Sequence, residues 1–107
     1  MRAETISKRH DVVIRRLTLE PGEATPWHTD RCHRFSVILR GEQLRIEFRD
    51  NDERLKVPVH PGMVDWDPPE ARVHRAVNAG SQTYEEVVTF FLDRPGIDPQ
   101  PEHATGR

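Results

Sequence analysis

One cysteine, Cys32, is all the chain contains, so no internal disulfide can form and no cysteine-based zinc cage can be assembled. A lone cysteine of this kind is expected as inert packing and not as a catalytic thiol. No apolar run is long enough to cross a bilayer, and the opening MRAETISKRHD lacks the apolar block of a secretory signal. A soluble cytoplasmic protein with no membrane partner is expected. An excess of one charge is also lacking: 16 Lys and Arg stand against 18 Asp and Glu. The net charge of −2 gives no bulk basic field for neutralising phosphates, which argues against nucleic acid as a partner. Lysine is scarce beside arginine, and arginines alternate with acids along Arg45, Glu47, Arg49 and Asp50, the pattern of a solvated strand face. No window carries a helical period, and nothing repeats at solenoid spacing.

What is present is a regular β pattern in a chain of 107 residues, enough for one domain with one core. Pro and Gly punctuate it at Pro21-Gly22, Gly41, Pro61-Gly62, Pro68-Pro69 and Gly80, with short runs rich in Val, Ile, Leu, Phe and Thr between. Val12 to Leu19 reads as a strand, and residues 1–11 form an N-terminal segment placed to add an edge strand. Phe35 to Leu39 is a nearly continuous apolar run, which predicts a strand covered on both faces. Leu44, Ile46 and Phe48 alternate with Arg45, Glu47 and Arg49, which predicts one buried face and one wet face. Leu55, Val57 and Val59 continue that alternation, Pro58 confines its strand to a site where a missing N–H does no harm, and Tyr84 to Leu92 closes the series. Residues 93–107 hold three prolines and few apolar side chains, so an extended or disordered tail is expected. A hydrophobic share of 35% against 32% charged implies a thin core and an apolar face in need of cover, and a homodimer is expected.

The chemistry concentrates in two glycine-framed segments. In PGEATPWHTDRCHRFSVILRG, His28 and Asp30 stand two apart and so point the same way on a strand. PGMVDWDPPEARVHRAVN supplies His74. With the two strands side by side, two imidazoles and a carboxylate converge, the ligand set of open-site ferrous oxygenases. Trp27 and Trp66 flank these segments and are expected in the core, and Phe35, Phe48, Phe90 and Phe91 in the core or an interface. Asn78 is expected to fix backbone geometry after the second segment. His10, His60 and His103 fall in ends or turns and are expected to be solvated. Of Glu85 and Glu86, alternation sends only one inward.

The two segments resemble the paired motifs of the cupin superfamily, across roughly residues 12 to 92. Its first motif runs Gly, five residues, His-x-His, three or four residues, Glu, six residues, Gly; here Gly22, His28 and Gly41 fall in register, and VILRGEQLRIEF looks like the strand-turn-strand that follows. The second runs Gly, five residues, Pro-x-Gly, two residues, His, three residues, Asn; Gly62, Pro68, His74 and Asn78 match, with one extra residue before the histidine. Asp30 stands where the family has its second histidine, and Arg34 where it has its glutamate. The resemblance implies an all-β double-stranded β-helix, or jelly-roll barrel, over residues 12–92 with a divalent transition metal (Fe, Mn, Ni or Zn) at its mouth.

Three readings follow from these departures. In the first, His28, Asp30 and His74 hold the metal and Arg34 grips a small anionic substrate with a bidentate fork, as in a metal-dependent dioxygenase. In the second, a bulge swings His33 inward to give three histidines with or without Asp30, although alternation puts His33 opposite Arg34. In the third, no metal binds, and the pocket belongs to a small-molecule binding or sensor domain. A metal-independent isomerase or epimerase is a further alternative, with a carboxylate pairing His28 or His74 to set its tautomer.

Overall fold

The computed structural model describes residues 1–95. Among them are nine strands and no helix: β1 (Arg2–Arg9), β2 (Val12–Leu19), β3 (His28–Asp30), β4 (Cys32–Arg40), β5 (Gln43–Phe48), β6 (Arg54–Pro58), β7 (Val64–Asp67), β8 (Glu70–Asn78) and β9 (Tyr84–Pro95). No helix among the described residues is long and apolar enough to cross a membrane. The strands form two antiparallel sheets, β1-β2-β9-β4-β7 and β3-β8-β5-β6. β1 is an edge strand whose eight residues are all exposed. β9 carries the last strand three residues beyond Leu92, and the rest of the proline-rich tail, His103 included, lies outside the described residues.

Leu17 and Leu19 of β2, Ile38 of β4 and Tyr84 of β9 meet Leu44 of β5 and Val59 across the interior. Each such side chain, fully buried, contributes roughly 1.5–3 kcal/mol over its exposed state. Val13, Val88 and Phe90 form a second apolar cluster. Two glycines make this closure work. Gly41 has φ +140°, and a Cβ there would stand 2.8 Å from Cδ1 of Tyr84, so the β4–β5 turn admits no side chain. Gly62, at φ +86°, turns the chain into β7 and donates its N–H to the Ile38 carbonyl at 2.8 Å.

The two motif segments are stitched together at their ends. Gly22 N–H donates to the Asn78 carbonyl and Asn78 N–H to the Glu23 carbonyl, each at 2.9 Å. The Asn78 side chain, 1% exposed, donates to the carbonyls of Leu19 and Gln82 and accepts from Gly80 N–H. It therefore holds the β8–β9 turn against the end of β2.

Three expectations need correction. β4 is not covered on both faces: Cys32, Arg34, Ser36 and Ile38 point in, whereas Phe35 and Val37 are half-buried and Leu39 is 41% exposed on the outer face. Trp66 is no core residue either. Asp65 and Asp67 take the inward positions of β7, so parity turns Trp66 outward, 69% exposed, against the rings of Phe35 and Phe91. These rings partly cover one another, which is why an apolar run on β4 can face outward. Leu55, on the edge strand β6, is 43% exposed because no strand lies beyond it.

Candidate metal centre

The short strand β3 places His28 opposite His74 of β8 in register, and a shift between His28 and Asp30 brings Asp30 alongside Glu70. All three motif residues are buried: His28 6%, Asp30 3% and His74 8% exposed. The imidazole centroids lie 4.6 Å apart at 52°. His28 Nδ1–H donates to the Pro26 carbonyl at 2.7 Å, and His74 Nδ1–H donates to the Arg72 carbonyl at 2.8 Å. Each backbone acceptor fixes a ring and turns its Nε2 toward Asp30. Arg72 is itself held by Asp50 and Glu53 and stacks on Phe48 at 3.8 Å, so the carbonyl that orients His74 is well anchored.

The Asp30 carboxylate sits at the centre of the cluster. Its Oδ2 is 2.8 Å from His74 Nε2 and 3.1 Å from Arg34 Nη1, and its Oδ1 is 3.7 Å from His28 Nε2. With Nδ1 already donating to a carbonyl, His74 can satisfy both neighbours only as an imidazolium. Burial works against that charge and Arg34 opposes it, yet the bonds to Asp30 and the Arg72 carbonyl prevail and raise the His74 pKa above the ordinary histidine value. A divalent ion in the same gap would take the place of the proton on His74 Nε2.

The donor set fits such an ion. One ligand atom from each of His28, Asp30 and His74 lies within 4.8 Å of the others. Neighbouring ligands around a transition metal with bonds near 2.1 Å stand about 3.0–3.4 Å apart; here Asp30 meets the two rings through different oxygens, Oδ2 at 2.8 Å from His74 Nε2 and Oδ1 at 3.7 Å from His28 Nε2. His28, Asp30 and His74 are thus a group that can hold a metal ion. His33 is not part of it. A register shift does occur at Cys32/His33 in the β4–β9 pairing, but His33 stays exposed on the outer face.

His28 and His74 open onto a cavity of about 290 Å³ between the sheets, whose floor is apolar through residues such as Ile38, Leu44, Val57 and Met63. Arg34 lines the same cavity, 8% exposed, but its Nη1 is engaged by Asp30 and its Nη2 donates to the Pro68 carbonyl at 3.4 Å. Its position therefore serves Asp30 first. Sequence reasoning did not single out the acidic wall of this cavity, where Asp65, Asp67, Glu70 and Glu86 face one guanidinium. Of the adjacent pair on β9, Glu86 turns inward at 3% exposure and accepts from the Tyr84 hydroxyl at 2.5 Å, while Glu85 turns outward to Arg16 and Arg40. The Asp-Trp-Asp alternation in β7 was the one available signal for Asp65 and Asp67. The Asp65 carboxyl is raised above the ordinary value by partial burial and then by the negative charge of Asp67 and Glu86, with Arg34 opposing.

Neither a family model nor a curated protein matches the sequence. Solved structures do match it in shape. A cupin domain from Bordetella pertussis Tohama I superposes with a TM-score of 0.73 at 16% identity, over 83% of this chain and 90% of that one. An RmlC-like cupin family protein with a double-stranded β-helix fold, from Methanocaldococcus jannaschii, gives 0.65 at 21% identity, over 83% and 77%. An oxalate oxidase in complex with the substrate analogue glycolate gives 0.59 at 22% identity, over 80% of this chain and 44% of its own. The two-sheet topology and these superpositions agree: the chain has the cupin fold, an all-β double-stranded β-helix.

Proposed function

We propose that this small cupin holds one divalent transition metal through His28, Asp30 and His74 and acts as an oxygenase on a small molecule seated in the adjoining cavity. The observation that carries this reading is the convergence of two Nε2 atoms and one carboxylate, all buried, beside a cavity of about 290 Å³. Two imidazoles and a carboxylate leave coordination positions open and suit iron(II) first, with manganese, nickel and zinc as competitors. When bound, the ion supplies Lewis acidity and, as iron, redox chemistry toward dioxygen. The chain's own residues do the rest. The Pro26 and Arg72 carbonyls hold the two rings, Arg34 holds Asp30, and the apolar floor keeps water from the reacting carbon. The oxalate oxidase that shares the fold lends support, since it too acts on a small oxygen-rich molecule.

Metal analysis of protein expressed in medium supplemented with the four metals tests the proposal. About one ion per chain is expected, falling to background in His74→Ala with the β-sheet circular dichroism retained. Absence of stoichiometric metal in the wild type would overturn it. The His74–Asp30 contact at 2.8 Å favours one second reading, a metal-independent isomerase in which Asp30 orients a histidine for proton transfer. Turnover that persists in chelator would select that reading.

A further inference from the structure

The cavity beside the metal centre is chemically lopsided. His28 and His74 stand on the smaller sheet with Glu70, whereas the larger sheet contributes Arg34 and three carboxylates: Asp65 and Asp67 from β7 and Glu86 from β9. The Asp65 side chain is exposed at the edge strand and that of Asp67 is half-buried, and both line the cavity. Glu86 is almost wholly buried and is oriented by Tyr84, itself 1% exposed, so its carboxylate is a fixed feature of the wall and not a mobile surface acid. The one guanidinium, Arg34, is committed to Asp30 and the Pro68 carbonyl. Burying a carboxylate in a wall of apolar side chains is costly unless a donor or a positive charge meets it. A carboxylate-bearing group on this side would face like charges, whereas a protonated nitrogen would meet opposite ones.

We infer that the ligand of this cavity is bipolar: an oxygen-bearing end faces His28, Asp30 and His74, and a protonated amine at the other end is selected by Glu86 and Asp65. This rests on the proposal that the cavity beside the metal centre is the ligand site, and it replaces the anionic far end that Arg34 suggests from sequence. Ile38 and Met63, between the poles, suit a short aliphatic spacer. The raised carboxyl of Asp65 accords with the inference, because crowded negative charge is relieved when an ammonium arrives.

Three probes of matched length decide it: 4-aminobutyrate, pentanoate and glutarate share one carboxylate end and differ at the other in an ammonium, a methyl or a second carboxylate. Calorimetric titration of purified protein, with metal content measured on the same samples, should show 4-aminobutyrate binding about tenfold tighter than pentanoate, with glutarate weakest. Glu86→Gln keeps the shape and the acceptor for Tyr84, and Asp65→Asn removes the charge of an exposed wall residue at constant shape; each should shrink the amine preference several-fold without changing metal content. Equal binding of amine and methyl probes, tighter binding of glutarate, no binding of any probe, or a preference unchanged in both variants would overturn the inference. Protein that lacks metal yet prefers the amine would overturn the metal proposal alone, and metal-loaded protein without the preference would overturn this inference alone.

Discussion

Asp30→Asn is the most informative single change, because the carboxylate carries two roles that separate cleanly in metal-free protein. Asp30 is 3% exposed, and the groups it meets, Arg34 and His74, are each 8% exposed, so solvent screens their interaction little. Removing one partner of a buried ion pair costs about 3–5 kcal/mol, since the surviving charge stays buried without its counterpart. The amide still accepts from Arg34 Nη1, which lowers the expectation to about 2–4 kcal/mol. In a domain of this size each kcal/mol moves the melting temperature by about 4–8 °C. Urea unfolding of chelator-treated protein, followed by circular dichroism, measures the loss directly. A companion variant, Arg34→Met, and the double variant complete a thermodynamic cycle. If the pair is the reason for the loss, the double variant recovers much of it, and the coupling is about 2 kcal/mol. A loss below about 1 kcal/mol in Asp30→Asn, or strict additivity of the two changes, would refute the claim that Arg34 exists chiefly to hold Asp30.

Other outcomes follow from separate parts of the molecule. Glu47, 5% exposed on the outer face of the smaller sheet, is held below the ordinary carboxylate pKa first by its hydrogen bond from Arg45 at 2.8 Å, against the opposing effect of burial, with help from Arg75 and Arg54. A depressed carboxyl stabilises the fold above the unfolded pKa and ceases to do so as pH falls through the folded one; the stability gap between wild type and Glu47→Gln should be full at pH 7 and close below about pH 4. A gap that is unchanged at pH 3 would contradict this. Gly41→Ala forces a Cβ to 2.8 Å from Tyr84 at a φ few L-residues adopt, so a destabilisation of about 2–4 kcal/mol in urea is expected, and a neutral result would show that the turn relaxes freely. The homodimer expected from composition is checked by light scattering: twice the 12.4 kDa chain mass is expected, reduced in Trp66→Ser, whose ring is 69% exposed on the outer face beside Phe35 and Phe91. A wild-type monomer would remove that expectation.

Much of this molecule is legible in the order of its residues. The spacing of Gly22, His28 and Gly41, and of Gly62, Pro68, His74 and Asn78, carries both the jelly-roll resemblance and the candidate ligands. Strand alternation placed Asp30 on the same side as His28, because that relation lies within one strand and needs no knowledge of its neighbours. Relations between strands come from packing and are visible in the fold alone. From the residues alone Arg34 could hold a substrate anion or pair with Asp30, and the structure sets its Nη1 3.1 Å from Asp30. Trp66 looked like core until β7 proved to be an edge strand whose two aspartates line the cavity and leave the ring on the other face. The choice between Glu85 and Glu86 turned on the register of β9 against β2 and β4, a long-range quantity that no local pattern encodes. Periodicity fixes which residues share a face, and packing alone fixes which face is inside and what waits there.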